Sequence, residues 1–116
     1  MEKLKVFEMP RVVEEHRRKG EVWTEFFRIP AMSMGVYTLR AGAEDTQTPH
    51  LEDEIYYVLG GRASIRVENE VQKVGPGSLV FVAGKAKHRF EEIREDLTLM
   101  VFFAPEEDAA GAARLA

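Results

Sequence analysis

Three side chains of the types that bind metals lie beside two apolar stretches of the sequence. His50 and Glu54 stand four residues apart, just ahead of an apolar, aromatic and β-branched run at residues 55–58 that is typical of a buried strand. His88 follows a second run of this kind, at residues 79–83. If the two strands face each other in a barrel, two imidazoles and one carboxylate meet, and such a donor set binds first-row metals.

The donor types restrict the cofactor to one class. The chain has no cysteine, which excludes disulfides, thiolate metal sites and a cysteine nucleophile. Imidazole and carboxylate without thiolate suit a divalent ion of iron, manganese, nickel, copper or zinc, and the sequence does not choose among these metals. The structural alternative is that both histidines are hydrogen-bonded core residues and that Glu54 only holds one of them in place.

Length and charge exclude several other functions. A chain of 116 residues is the size of one domain. Its formal net charge is −4 and its basic residues are scattered apart from the cluster at residues 17–19, so we expect no nucleic-acid partner. No stretch resembles a signal peptide or a membrane span, which predicts a cytoplasmic protein without membrane contact. Gly-rich phosphate loops and a serine nucleophile elbow are also absent from the sequence.

Short apolar runs separated by turn residues dominate the chain from residue 22 onward. They predict strands at residues 22–27, 32–39, 55–58, 63–67, 79–83 and 97–103. The turns are spaced as in an antiparallel sandwich or small barrel. We therefore expect a barrel over residues 21–105 and a flexible tail over residues 106–116.

The N-terminal unit, residues 1–20, has a different pattern. Residues 3–9 predict a short strand, and residues 10–19 predict one or two helical turns that end at Gly20. His16 lies in this helical segment among charged neighbours, which favours a solvated surface histidine over a ligand.

The spacing of the first histidine and its neighbours is informative. Gly42, Thr48, His50, Glu54 and Gly61 follow one another with five, one, three and six residues between them. This arrangement resembles the first motif of the cupin family, G-x5-H-x-H-x3,4-E-x6-G. It departs at one ligand position, because Thr48 stands where the first histidine belongs.

The second histidine lies in a segment that is similar to the second cupin motif, G-x5-P-x-G-x2-H-x3-N. Gly77 and His88 keep the expected residue types, whereas the proline, the second glycine and the asparagine are replaced by Ala83, Lys85 and Glu92. The resemblance spans residues 42–92. It implies an all-β fold, the double-stranded β-helix or jelly-roll barrel, here with a short N-terminal helical segment.

The resemblance also implies a divalent metal ion with three protein ligands, His50, Glu54 and His88. Two alternatives remain open for the position of the missing histidine: a water molecule, or Gln47, whose carbonyl oxygen is an acceptable hard ligand. Strict alternation along a strand would face Gln47 away from the site. The neighbouring Glu52 and Asp53 are interpreted as solvated loop charges.

Two functions are consistent with such a site. One is a metal-dependent oxygenase, isomerase or decarboxylase acting on an unidentified small molecule, with Tyr37 or Tyr56 as the proton donor. The alternative is a non-catalytic cupin dimer that binds a small molecule or has a structural role. Five aromatic residues are candidates for the pocket wall: Tyr37, Tyr56, Phe81, Phe90 and Phe102. Among them Tyr56 and Phe90 have the better claim, since each lies two residues from a proposed ligand.

Apolar residues are more abundant than one small barrel needs. The strand at residues 97–103 is apolar on both faces, and Trp23, Phe26 and Phe27 add further apolar surface near the N-terminus. Such surface predicts a homodimer.

Overall fold

The computed structural model describes residues 3–46 and 49–105. This part of the chain forms one helix and eight strands, which are α1 (Met9–Lys19), β1 (Trp23–Ile29), β2 (Met32–Leu39), β3 (Asp53–Gly60), β4 (Ala63–Val67), β5 (Glu70–Val74), β6 (Leu79–Val82), β7 (His88–Glu91) and β8 (Leu97–Ala104). A five-stranded sheet has the order β1-β2-β8-β3-β6, and a three-stranded sheet has the order β5-β4-β7. All the pairings are antiparallel. The fold is the expected jelly-roll barrel.

The period of two along β8 determines the inner face of the larger sheet. Four alternate side chains of this strand are at most 3% exposed: Leu97, Leu99, Val101 and Phe103. The register sets Val101 opposite Tyr56 of β3 and Phe103 opposite Glu54. Because cross-strand partners share a face, Glu54 and Tyr56 also point into the barrel.

The smaller sheet supplies the other wall of the interior. Its central strand β4 pairs with β7, with Ile65 opposite Phe90 and Val67 opposite His88. The ring of Phe90 meets that of Tyr56 edge-on at a centroid distance of 4.9 Å, so the two sheets contact each other there. His88 is thereby directed toward β3 from the opposite wall.

The N-terminal unit differs from its prediction in two respects. Residues 3–8 belong to neither sheet, so the predicted opening strand is wrong. Helix α1 has 11 residues, about three turns, and ends at Gly20 with φ of 67° as expected. In the described part of the chain no helix is long and apolar enough to cross a membrane.

His16 is the buried residue of α1, and the prediction of a solvated histidine is wrong. It is 3% exposed because its ring lies between the helix and the larger sheet. Its Nδ1 lies 2.7 Å from Oγ1 of Thr24 on β1, and its Nε2 lies 2.8 Å from Oγ1 of Thr38 on β2. Burial lowers the pKa of His16, and the neighbouring charge of Lys19 lowers it further while that of Glu21 opposes.

Much of the N-terminal apolar surface is covered by the chain itself. Phe7 packs edge-on against Phe26 and Phe27, at centroid distances of 5.0 and 5.7 Å. The indole of Trp23 lies over Gly35, where a Cβ would overlap its ring. These aromatic residues are therefore not the open surface that the sequence suggested.

Candidate functional site

His88 begins β7 and is held by a backbone carbonyl. Its Nδ1 donates to the oxygen of Ala86 at 2.9 Å, because a carbonyl oxygen can only accept. In the neutral ring the lone pair is consequently on Nε2. That nitrogen lies 3.1 Å from the hydroxyl of Tyr56 and 3.1 Å from Oε1 of Glu54. A lone pair facing a carboxylate requires a positive charge between them, either a proton or a metal ion.

Glu54 lies on the inner face of β3 and is 2% exposed. Neither of its carboxylate oxygens has a hydrogen-bond partner in the structure. A buried carboxylate without donors is costly, so Glu54 depends on a cationic neighbour. Burial would lower the pKa of His88, but contact with Glu54 and the Ala86 carbonyl, together with the charge of Asp45, outweighs burial and raises it.

His50 is positioned by the loop between β6 and β7. The backbone N–H of Lys85 donates to the carbonyl oxygen of His50 at 2.6 Å, and the N–H of Gly84 donates to Oδ1 of Asp53 at 2.8 Å. A Cβ at Gly84 would overlap the carbonyl oxygen of Leu51, so the two segments approach as closely as glycine allows. The loop therefore holds His50 and the start of β7 in one region.

Glu52 is buried, and its interpretation as a solvated charge is wrong. It is 5% exposed, its Oε1 has no hydrogen-bond partner, and that oxygen lies 4.0 Å from Nδ1 of His50. Asp53 is exposed as expected. The reason is alternation, since residues 50, 52, 54 and 56 are all buried while Asp53 points outward.

Asp45 is a third buried carboxylate near the site, and sequence reasoning missed it. It is 6% exposed, and it accepts hydrogen bonds from the hydroxyl of Tyr37 at 3.0 Å and from the backbone N–H of Phe90 at 2.8 Å. Burial, followed by the charge and hydrogen bond of Asp45, raises the pKa of Tyr37 well above its usual range. No motif marks Asp45, because its role depends on a strand 45 residues away.

Aromatic rings line the side of the barrel that holds His50. Its ring meets Phe103 edge-on at 5.0 Å, and Phe103 in turn meets Trp23 at 6.1 Å. Two of the predicted wall residues do not belong to this lining. Phe81 is 63% exposed, and Phe102 lies on the outer face of β8, because each alternates with an inward-facing neighbour.

The predicted ligands are brought together only in part. Glu54 and His88 are in contact. The ring of His50 packs on Phe103, which is the cross-strand neighbour of Glu54. Over residues 3–46 and 49–105, no three His, Asp or Glu side chains are close enough to hold a metal ion. Gln47 and Thr48, the candidates for the fourth position, lie outside the described residues.

The charges of the site nevertheless fit a divalent cation. Three carboxylates and two histidines are buried around the barrel interior: Asp45, Glu52, Glu54, His50 and His88. No lysine or arginine is among the buried residues that the structure describes. Apart from the imidazole nitrogens of His88 and His50 that face them, three oxygens of Glu52 and Glu54 have no polar partner. Nitrogen and oxygen donors of this kind bind first-row metals.

Comparison with known sequences finds one matching family model and one similar protein. The model of the cupin domain matches residues 35–104. An uncharacterized protein of Streptomyces coelicolor is 39% identical over 104 residues, which covers 90% of this chain and 99% of that protein.

Solved structures with a similar fold cover most of the chain. The protein TT1209 from Thermus thermophilus superposes with a TM-score of 0.69 and 26% identity, covering 89% of this chain and 99% of that one. KdgF from a Halomonas species gives a TM-score of 0.68 and 21% identity, covering 76% and 81% of the two chains. The DMSP lyase DddQ from Ruegeria pomeroyi gives 0.64 and 21%, covering 71% of this chain and 46% of that one. At these identities the last two similarities concern the fold alone.

Proposed function

Because this chain belongs to the cupin family, we propose that its barrel binds a divalent metal ion and uses it to bind or convert a small molecule. Glu54 and His88 are two of the ligands, and His50 is the third. Gln47 or a water molecule takes the coordination position of the missing motif histidine. The metal is iron, manganese, nickel, copper or zinc.

The observation that carries the proposal is the contact between Glu54 and His88. A carboxylate that is 2% exposed and has no hydrogen-bond donor lies 3.1 Å from an imidazole nitrogen. The other nitrogen of that ring donates to a carbonyl, which is the usual arrangement of a metal-ligating histidine. A divalent cation between them would compensate the negative charge that the buried side chains leave uncompensated.

A bound metal would supply Lewis-acid or oxygen-activating chemistry at open coordination positions. The chain's own residues then orient a substrate and move its proton. The hydroxyl of Tyr56 lies 3.1 Å from Nε2 of His88, which favours Tyr56 as the proton donor. Tyr37 is the weaker candidate. Its hydroxyl already donates to Asp45, and its raised pKa makes the phenol a weaker acid.

Metal binding by variants of the chelator-treated protein tests the proposal. We expect the native protein to bind about one Co²⁺ or Zn²⁺ per chain in isothermal titration calorimetry. Glu54→Gln removes a charge and keeps the shape, and His88→Ala removes a nitrogen donor, so each should weaken the affinity at least about 100-fold.

His16→Asn is the matched control, because it removes a buried imidazole on the outer side of the larger sheet. This variant should retain the native affinity. The proposal fails if the native protein binds no metal, or if Glu54→Gln and His88→Ala bind it as tightly as His16→Asn does.

A binding role without catalysis is the second candidate. It is favoured by one observation, namely that His50 has not joined Glu54 and His88 as a third close ligand in the part of the chain described. Turnover of a bound small molecule would distinguish the two functions.

The homodimer is part of the same proposal, and its surface keeps the outer face of β8 from the expected one but not the N-terminal aromatic residues. Outward side chains form an apolar row across four strands of the larger sheet: Met34, Phe102, Ile55 and Phe81. Beside this row Leu79 is 66% exposed. We assign the dimer contact to this row, which we call the outer apolar row, because Phe81 is 63% exposed, the other three side chains are half-buried, and exposed apolar surface favours a partner.

A further inference from the structure

Glu52 is a buried carboxylate for which the proposed metal site has no role so far. We infer that Glu52 is a positioning residue, which accepts the Nδ1–H of His50 and so directs the other ring nitrogen toward the metal. This inference rests on the proposed metal site. It also explains how a chain lacking one of the motif histidines stabilises the histidine that it retains.

The geometry identifies the atoms involved. Nδ1 is the nitrogen of His50 that faces Glu52, at 4.0 Å from Oε1, and both side chains are about 95% buried. Nε2 lies on the opposite side of the ring. Oε1 of Glu52 has no hydrogen-bond partner, so it is available as an acceptor. At 4.0 Å the two atoms are within ion-pair distance but too far apart for a hydrogen bond. To form one, Nδ1 and Oε1 must come about 1 Å closer to each other.

The contact of Glu52 with Nδ1 of His50 suits a supporting role. It is buried like His50 and Glu54, at alternate positions of the chain just before and at the start of β3. A carboxylate behind a ligating imidazole fixes the tautomer of the ring and raises its basicity. Loss of such a partner weakens metal affinity by about 10- to 100-fold.

The test compares Co²⁺ binding by the native protein, Glu52→Gln and Glu52→Ala. We expect Glu52→Ala to lose about 100-fold in affinity and Glu52→Gln about 10-fold, since the amide oxygen still accepts a hydrogen bond without the charge. The visible absorption spectrum of bound Co²⁺ should shift in Glu52→Ala and less in Glu52→Gln. Glu95→Gln makes the same chemical change at an exposed residue and should leave affinity and spectrum unchanged.

A double-mutant cycle distinguishes positioning through His50 from direct ligation or a general charge effect. In a His50→Ala background, Glu52→Gln should weaken Co²⁺ binding less than about twofold further, because the ring on which Glu52 acts is gone. The inference is overturned if the effects of the two substitutions are additive, if Glu52→Gln and Glu52→Ala bind as the native protein does, or if Glu95→Gln loses as much as Glu52→Gln. Absence of binding by the native protein would instead refute the metal site itself.

Discussion

Two buried carboxylates of this barrel, Asp45 and Glu54, differ in their hydrogen-bond donors. Asp45 accepts hydrogen bonds from a phenol and from a backbone N–H, whereas Glu54 has no hydrogen-bond donor at either oxygen. Hydrogen-bonded burial is the mark of a structural carboxylate, and burial without donors is the mark of one that awaits a cation. Asp45 therefore joins the loop after β2 to β7, and Glu54 is left to bind.

Replacing Asp45 should lower the stability of the fold. Asp45→Ala removes both hydrogen bonds to a charged group, and we expect it to lower the free energy of unfolding by about 3 kcal/mol. Tyr37→Phe removes only one of these bonds and should cost about half as much. Urea denaturation measures both, and a loss below about 1 kcal/mol for Asp45→Ala would contradict the structural role.

Sequence reasoning at the residue scale succeeded where a motif or an alternation existed. The contact of Glu54 with His88 was predicted from residues 34 positions apart. Glu52 is predicted wrongly because an acidic residue in a loop suggests exposure. Its alternation with His50 and Glu54 is the signal that predicts burial. Asp45 could not be found, since only the folded chain brings it to Tyr37 and Phe90.

At the scale of elements, helix α1 is attached to the larger sheet through a single histidine. His16 bridges two threonine hydroxyls from neighbouring strands, and its ring is buried between helix and sheet. A neutral imidazole can donate to one hydroxyl and accept from the other, and protonation would place a charge in a site with little water.

This attachment predicts a dependence of stability on pH. The pKa of His16 is lowered in the folded state, chiefly by burial, so the unfolded chain binds the proton more readily. Its contribution should be complete above the ordinary value of 6.5 and should be lost as the pH falls through the lower folded value. Lys19 strengthens this shift and Glu21 weakens it.

The measurement is the free energy of unfolding of the native protein and of His16→Asn at pH 7.5 and pH 5.0. Taking the difference between the two proteins removes the contributions of the other titratable groups, which both proteins share. The advantage of the native protein over His16→Asn should shrink at pH 5.0, and an advantage that grows on acidification would contradict the account.

The strands were predicted unevenly, and their exposure explains why. Strands β2 and β4 have the predicted bounds, because each is a run of apolar and β-branched residues closed by turn chemistry. Strands β5 and β7 were missed. The former is an exposed, polar edge strand, and the latter has only four residues, so neither carries a continuous apolar signal.

At the scale of the whole molecule, the motifs predicted the barrel but not the order of its strands. Strand β8 lies between β2 and β3, and this pairing joins residues about 60 and 45 positions apart. Local periodicity carries no information about such distant partners. The apolar outer face of β8 is visible in the sequence, whereas its extension by the exposed side chain of Phe81 on β6 appears only in the folded sheet.

The outer apolar row predicts the effect of one charge on assembly. Phe81→Glu places a carboxylate in the proposed dimer contact and should weaken dimerisation by about 100-fold, because a buried unpaired charge is costly. Val71→Glu is the control, since Val71 is a 40% exposed apolar residue of the smaller sheet. Light scattering across a concentration series should find Val71→Glu dimeric and Phe81→Glu monomeric, and a monomeric native protein would refute the contact.

The central claim is that Glu54 and His88 bind one metal ion together with His50. The most direct measurement is an anomalous difference map from crystals of the protein grown with Co²⁺ or Zn²⁺. We predict one strong peak at about 2.0–2.2 Å from a carboxylate oxygen of Glu54 and from ring nitrogens of His88 and His50. A map with no peak inside the barrel, or with a peak that Glu54 and His88 do not touch, would contradict the account.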